Sequence, residues 1–121
     1  MMFARALAFV QGLYYFITGV WPIVHIDSFQ AVTGPKEDLW LVKTVGALLI
    51  AIGIILLTGS GRRRLVRETA MLGFGAALVL ALVDLIYGLG GDISRIYVLE
   101  GVFEAMIALA WLTVWRIHEL E

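Results

Sequence analysis

The chain alternates long apolar blocks with short polar links. The blocks run over about residues 3–23, 39–57, 69–89 and 96–115. Each is close to the roughly 20 residues that a helix needs to cross about 30 Å of hydrocarbon. The apolar positions fill each block all round, where a helix on a soluble surface would show a stripe. Only helices suit such blocks, because an open sheet edge in lipid leaves backbone polar groups unpaired.

The links fit the same picture. Residues 24–38, VHIDSFQAVTGPKED, are polar and contain the turn pair Gly34-Pro35, so they read as a loop. Thr58-Gly59-Ser60-Gly61 ends the second block, and Gly90-Gly91-Asp92 closes the third. Links this short make successive helices antiparallel. The expected fold class is all-α: an integral membrane four-helix bundle, forming one domain over residues 1–121.

Composition strengthens this reading. Of 121 residues, 61% are hydrophobic and 16% charged, more apolar surface than a small soluble domain can cover. The net charge of −1 gives no field that favours nucleic acid, and the aromatics are not interleaved with a basic patch. There are no cysteines, so disulfides and thiolate metal sites are excluded. The first block has only Arg5, near its start, as a basic residue and lacks small residues after it, so it reads as a retained helix and not a cleaved signal.

Charge matters locally. Arg62, Arg63, Arg64 and Arg67 fill the link between the second and third blocks, and Arg5 and Arg116 fall on the same side. The opposite links hold Lys36 and Arg95. The positive-inside bias therefore predicts that both termini face the cytoplasm. The same arginines suit the headgroups of anionic lipids. Trp21, Trp40, Tyr97 and Trp115 fall near the interfaces, where amphipathic rings are favoured.

An internal repeat is visible. LWLVKTVGALLIA (39–51) aligns without gaps to IYVLEGVFEAMIA (96–108), and YFITG (15–19) sits over DLIYG (84–88). Two similar helix pairs in one orientation predict a parallel pseudo-repeat about an axis along the membrane normal. The alignment makes Lys43 equivalent to Glu100, and Tyr15 to Asp84, so that opposite charges would meet at the axis.

Lys43, Asp84, Glu100 and Glu104 are ionisable groups inside the apolar blocks. Such residues are costly in lipid and face a bundle interior or a water-filled cavity. All four fall in the half of the membrane remote from the arginines, Glu104 deepest at roughly 12 Å from the helix end. Glu100 and Glu104 share a helix face, which Tyr97 and Trp111 extend. Gln11, Tyr15, Thr18, Pro22 and His25 recur at helical intervals on the first helix. Gly73, Ala77, Ala81, Asp84 and Gly88 form a small-residue face on the third.

One lysine facing three carboxylates leaves a surplus that cannot all ionise in a low dielectric. A satisfied polar core, with Lys43 paired to Asp84 or Glu100, is the simplest outcome. Three sharper ones remain open. A proton or ion relay would run through Glu104, Glu100, Asp84 and His25. A metal site would use His25, Asp84, Glu100 and Glu104, although Glu-x-x-His spacing is absent. A pocket for a small amphipathic molecule, a lipid or a quinone would be walled by Tyr14, Tyr15, Trp21, Tyr87, Tyr97 and Trp111. No serine has a base at a suggestive spacing, and Gly59-Ser60-Gly61 lacks the lysine of a phosphate loop. An enzyme is therefore the least favoured class.

The segment LYYFITGVWPIVHIDSFQAVTGPKEDLWLVKTVGALLIAIG (13–53) resembles small bacterial inner-membrane proteins with four spans, and the helix layout is similar to that of the DoxX-like group. The resemblance implies a multi-pass location in a bacterial inner membrane. It implies no catalytic residue and no cofactor.

The functional expectation is an outward-facing polar intramembrane pocket that binds or passes a small molecule, proton or ion. Glu104, Glu100, Asp84, Lys43, His25, Tyr15 and Tyr97 are its candidate residues. The alternative is a non-catalytic accessory subunit whose buried charges fix helix packing. Exposed Gly and Ala faces also permit a homodimer within the bilayer.

Overall fold

The computed structural model describes residues 2–117. Among these the chain is all-helical: α1 (Met2–Val24), α2 (Ile26–Thr33), α3 (Leu39–Ser60), α4 (Arg67–Leu89) and α5 (Ile96–Ile117). Four of them, α1, α3, α4 and α5, are long and apolar enough to cross a membrane. Their bounds lie within a few residues of the apolar blocks.

The link over residues 24–38 is not a plain loop. It contains α2, an eight-residue helix. His25 starts it, its Nδ1 accepting from the Ser28 amide at 3.1 Å. Trp21 Nε1 donates to Ser28 Oγ at 2.8 Å, tying the new helix back to α1. The helix ends at Gly34, whose φ of 98° lies in the left-handed region, and whose amide donates to Gln30 O at 2.8 Å. Phe29 is buried edge-on against the Trp21 ring at 5.3 Å.

Packing makes two pairs, α1 with α3 and α4 with α5. The first pair is a glycine seam. Gly12 and Gly19 on α1 oppose Gly53 and Gly46 on α3, so both helices repeat glycine every seven residues, two turns apart. A Cβ on Gly53 would lie 2.7 Å from the Gly12 carbonyl oxygen, and one on Gly19 would collide with the Gly46 carbonyl. Backbones this close gain dispersion contacts, which drive helix association where lipid offers no hydrophobic contrast.

The pairs then meet unevenly. Ala4, Ala8, Ala70, Ala77, Ile107, Ala108, Trp111 and Val114 form a dry core with Leu65, toward the end that carries the arginine link. There Gly59 of α3 lies against Thr69 of α4. Toward the α2 end the pairs part, and a cavity occupies the space between them.

Candidate functional site

The site begins with three hydrogen bonds from α1 to α5. Gln11, Tyr14 and Tyr15 lie within about one turn on α1, so their side chains reach the same neighbour. Trp111 Nε1 donates to Gln11 Oε1 at 2.7 Å. Tyr15 donates its hydroxyl to Glu104 Oε1 at 2.7 Å, and Tyr14 donates to Glu100 Oε1 at 3.1 Å. Gln11 Nε2 also donates to the Gly73 carbonyl at 2.9 Å, which brings in α4. Burial forces these pairings, because an amide or indole N–H left unpaired in an apolar interior costs about 1–3 kcal/mol.

Asp84 enters from α4. Its helix face, Gly73, Ala77, Ala81, Asp84 and Gly88, is buried throughout. The reason is contact with α5: a Cβ on Gly101 would lie 3.0 Å from the Asp84 Cβ. Asp84 and Glu100 thereby come to line one cavity, with Glu104 one turn further along α5. Two carboxyl oxygens, Asp84 Oδ2 and Glu104 Oε2, are buried with no hydrogen-bond partner among the described residues.

The cavity measures about 740 Å³, within the range of small-molecule sites. Its walls are largely apolar, with Val45, Leu49, Leu80, Val83, Phe103 and Met106 among them. Polar groups gather at the α2 end, where Asp84, Glu100, Tyr14, Tyr97, Thr33 and Lys36 contribute. Several apolar wall residues are also exposed on the outside of the bundle, Leu99 by 72% and Met106 by 61%. Part of the cavity wall is therefore built of apolar residues that are exposed at the bundle surface.

The structure distributes the sequence candidates in three ways. Asp84, Glu100 and Tyr97 line the cavity. Glu104 and Tyr15 lie behind its wall, bonded to each other and fully enclosed. Lys43 and His25 are brought to neither place. Lys43 is exposed on α3, because α3 buries only the narrow glycine face turned to α1. The charges that the repeat aligns, Lys43 and Glu100, accordingly do not meet at an axis. His25 is exposed and commits its Nδ1 to the start of α2.

Nor is the candidate metal set assembled. Among the described residues no three His, Cys, Asp or Glu side chains converge as a metal site, so His25, Asp84, Glu100 and Glu104 do not form one. Of the aromatic wall expected from sequence, Tyr14, Trp21 and Tyr97 line the cavity. Tyr15 and Trp111 are buried in helix contacts, and Tyr87 is exposed. Of the four arginines, Arg67 stacks on the Trp115 ring at 5.4 Å.

The cation lining the cavity is Lys36, from the link whose sequence reads as a loop. Its Nζ donates to Gly34 O at 2.8 Å, Thr33 O at 3.1 Å and Thr33 Oγ1 at 3.2 Å. It thus caps the C-terminus of α2, where the helix dipole favours a positive charge. Burial lowers its pKa below the ordinary lysine value. The signal that could have found it was a basic residue just past a Gly-Pro helix stop.

Compared with known proteins, the chain matches no family model, no curated protein and no solved structure.

Proposed function

We propose that this is a multi-pass membrane protein that binds a small amphipathic molecule in the cavity between its helix pairs. The observation that carries the reading is the cavity itself: about 740 Å³, largely apolar, with two carboxyls at one end and exposed apolar residues in its wall. A ligand taken from the bilayer would enter sideways, leave its tail among Val83, Phe103 and Met106, and bring its head to Asp84 and Glu100. The arginine link would face the cytoplasm with both termini, so the α2 end would open near the opposite surface. A bacterial inner membrane is the location that the resemblance to small four-span proteins supports.

The test is native mass spectrometry of the protein gently extracted from membranes, compared with a Val83→Trp variant. Val83 is on the cavity wall and partly exposed, so the larger ring fills the space without disturbing the dry core. The expected result is a bound lipid or other amphiphile on the parent protein, lost from the variant while its helix content is kept. The same adducts on both proteins would overturn the reading.

A second reading has its own support. Gln11 with Trp111, and Tyr15 with Glu104, pair deep inside the bundle, which is what buried polar groups that set helix register do. An accessory subunit would need that part and leave the cavity without an occupant.

A further inference from the structure

The head end of the cavity has an uneven stock of hydrogen-bonding groups. On the acceptor side, Asp84 is 6% exposed and lines the cavity; its Oδ2 is buried without a partner, which leaves Oδ1 as the oxygen that a ligand can reach. Glu100 lines the same end and receives one bond, from the Tyr14 hydroxyl at 3.1 Å. On the donor side stands Lys36, whose ammonium has three hydrogens. All three have acceptors already, on Gly34 and Thr33. The Thr33 hydroxyl is committed too, donating to Phe29 O at 2.8 Å.

The wall therefore presents two carboxyls and a lysine whose donors are spent on α2. An anionic head would meet like charge there. A neutral hydroxyl could bond the Asp84 carboxyl but would bring no charge to balance two carboxylates against the single Lys36 ammonium, which is costly in apolar surroundings. A cationic head with N–H donors answers both needs, since charge-assisted bonds to carboxylate are the stronger kind. The Lys36 ammonium lies 5.1 Å from the Tyr97 ring centre and 5.8 Å from that of Phe29, so these two rings, like the Thr33 and Gly34 oxygens, are already taken by that cation. A bare metal ion is a poor match, because no three ligands converge and the space is far larger than an ion.

Building on the binding reading above, we propose that the cavity takes an amphipathic amine. Its ammonium pairs with Asp84 and Glu100, and its hydrocarbon chain lies along Val83, Phe103 and Met106. Asp84 supplies the unpaired acceptor and Glu100 the second negative charge.

The experiment titrates three probes of equal chain length, dodecylamine, dodecanol and dodecanoate, into the protein in dodecyl maltoside micelles at neutral pH. Bound adducts are read by native mass spectrometry. The expected order is amine, then alcohol, with dodecanoate weakest. Asp84→Asn should weaken the amine by about tenfold to a hundredfold, the worth of one hydrogen bond to a charged group, and leave dodecanol unchanged. Glu100→Gln should weaken the amine in the same direction and serves if Asp84→Asn fails to fold. Dodecanol bound as tightly as the amine, or amine binding untouched in both variants, would overturn the cationic head while leaving the cavity reading in place. Binding of no probe, or binding that survives Val83→Trp, would overturn both.

Discussion

The Tyr15 hydroxyl sits 2.7 Å from Glu104 Oε1, and neither side chain has appreciable exposure. It is the middle one of three hydrogen bonds that join α1 to α5. Tyr15→Phe removes the donor and leaves a buried carboxyl with neither oxygen paired. The expected loss of stability is about 1–3 kcal/mol. Glu104→Gln keeps an oxygen for Tyr15 but places amide hydrogens where Oε2 has no partner, so it too should lower stability by about 1–3 kcal/mol. Thermal unfolding in one detergent compares the two. A Tyr15→Phe protein as stable as the parent would show that the bond contributes nothing.

The glycine seam makes an opposed pair of expectations. Gly19→Val puts bulk where a single carbon already collides with the Gly46 carbonyl. The α1–α3 pair must separate, at a cost of about 1–3 kcal/mol or more. Gly75 has nothing within 4 Å of its added carbon. Gly75→Ala should therefore be neutral or stabilising by up to about 1 kcal/mol, through helix propensity alone. Equal effects of the two substitutions on unfolding would mean that the seam is not a close contact.

Two lysines should behave differently. Lys36→Met strips α2 of its C-terminal cap and of the contacts with Phe29 and Tyr97. Amide exchange over residues 26–33 should accelerate severalfold, in line with a capping contribution of about 1 kcal/mol. Lys43→Met changes an exposed position on α3 and should alter neither exchange nor stability measurably. Protection of α2 that survives in Lys36→Met would remove the cap from the account.

Orientation is open to a clean chemical test, because the chain has no cysteine. Asp27→Cys sits on exposed α2, and Gly61→Cys on the exposed arginine link. A membrane-impermeant thiol reagent added to intact cells should label the first and spare the second. The reverse pattern would invert the topology, and labelling of both would break the four-span arrangement.

Much of the fold was legible because lipid imposes a coarse rule. Four blocks of sufficient length and hydropathy gave four helices, with ends misplaced by a few residues. What escaped was set by shorter-range physics. Ile26, Phe29 and Thr33 keep helical spacing over a stretch too short to stand out among polar neighbours, so α2 was read as loop. Missing α2 meant missing Lys36, whose role exists only as the cap of that helix. Lys43 was drawn inward by lying in an apolar block. Its exposure follows from how little of α3 is covered, and coverage depends on neighbours that a single helix pattern does not specify. Asp84 and Glu100 were recognisable as costly in lipid, but spacing along one helix could not say that Glu104 lies behind the cavity and Glu100 on its wall.

On the proposed binding reading, the uneven meeting of the two helix pairs has a consequence for discrimination among ligands. The seam of Gly12, Gly19, Gly46 and Gly53 holds α1 against α3, and the apolar core near Ala8 and Trp111 joins the pairs at one end. Chains of different length or bulk would then be taken in by a small change of angle between the pairs. The head has no such latitude, since Asp84 is held in place by the Gly101 contact. Recognition in such a cleft would be strict at one end of the ligand and lenient at the other.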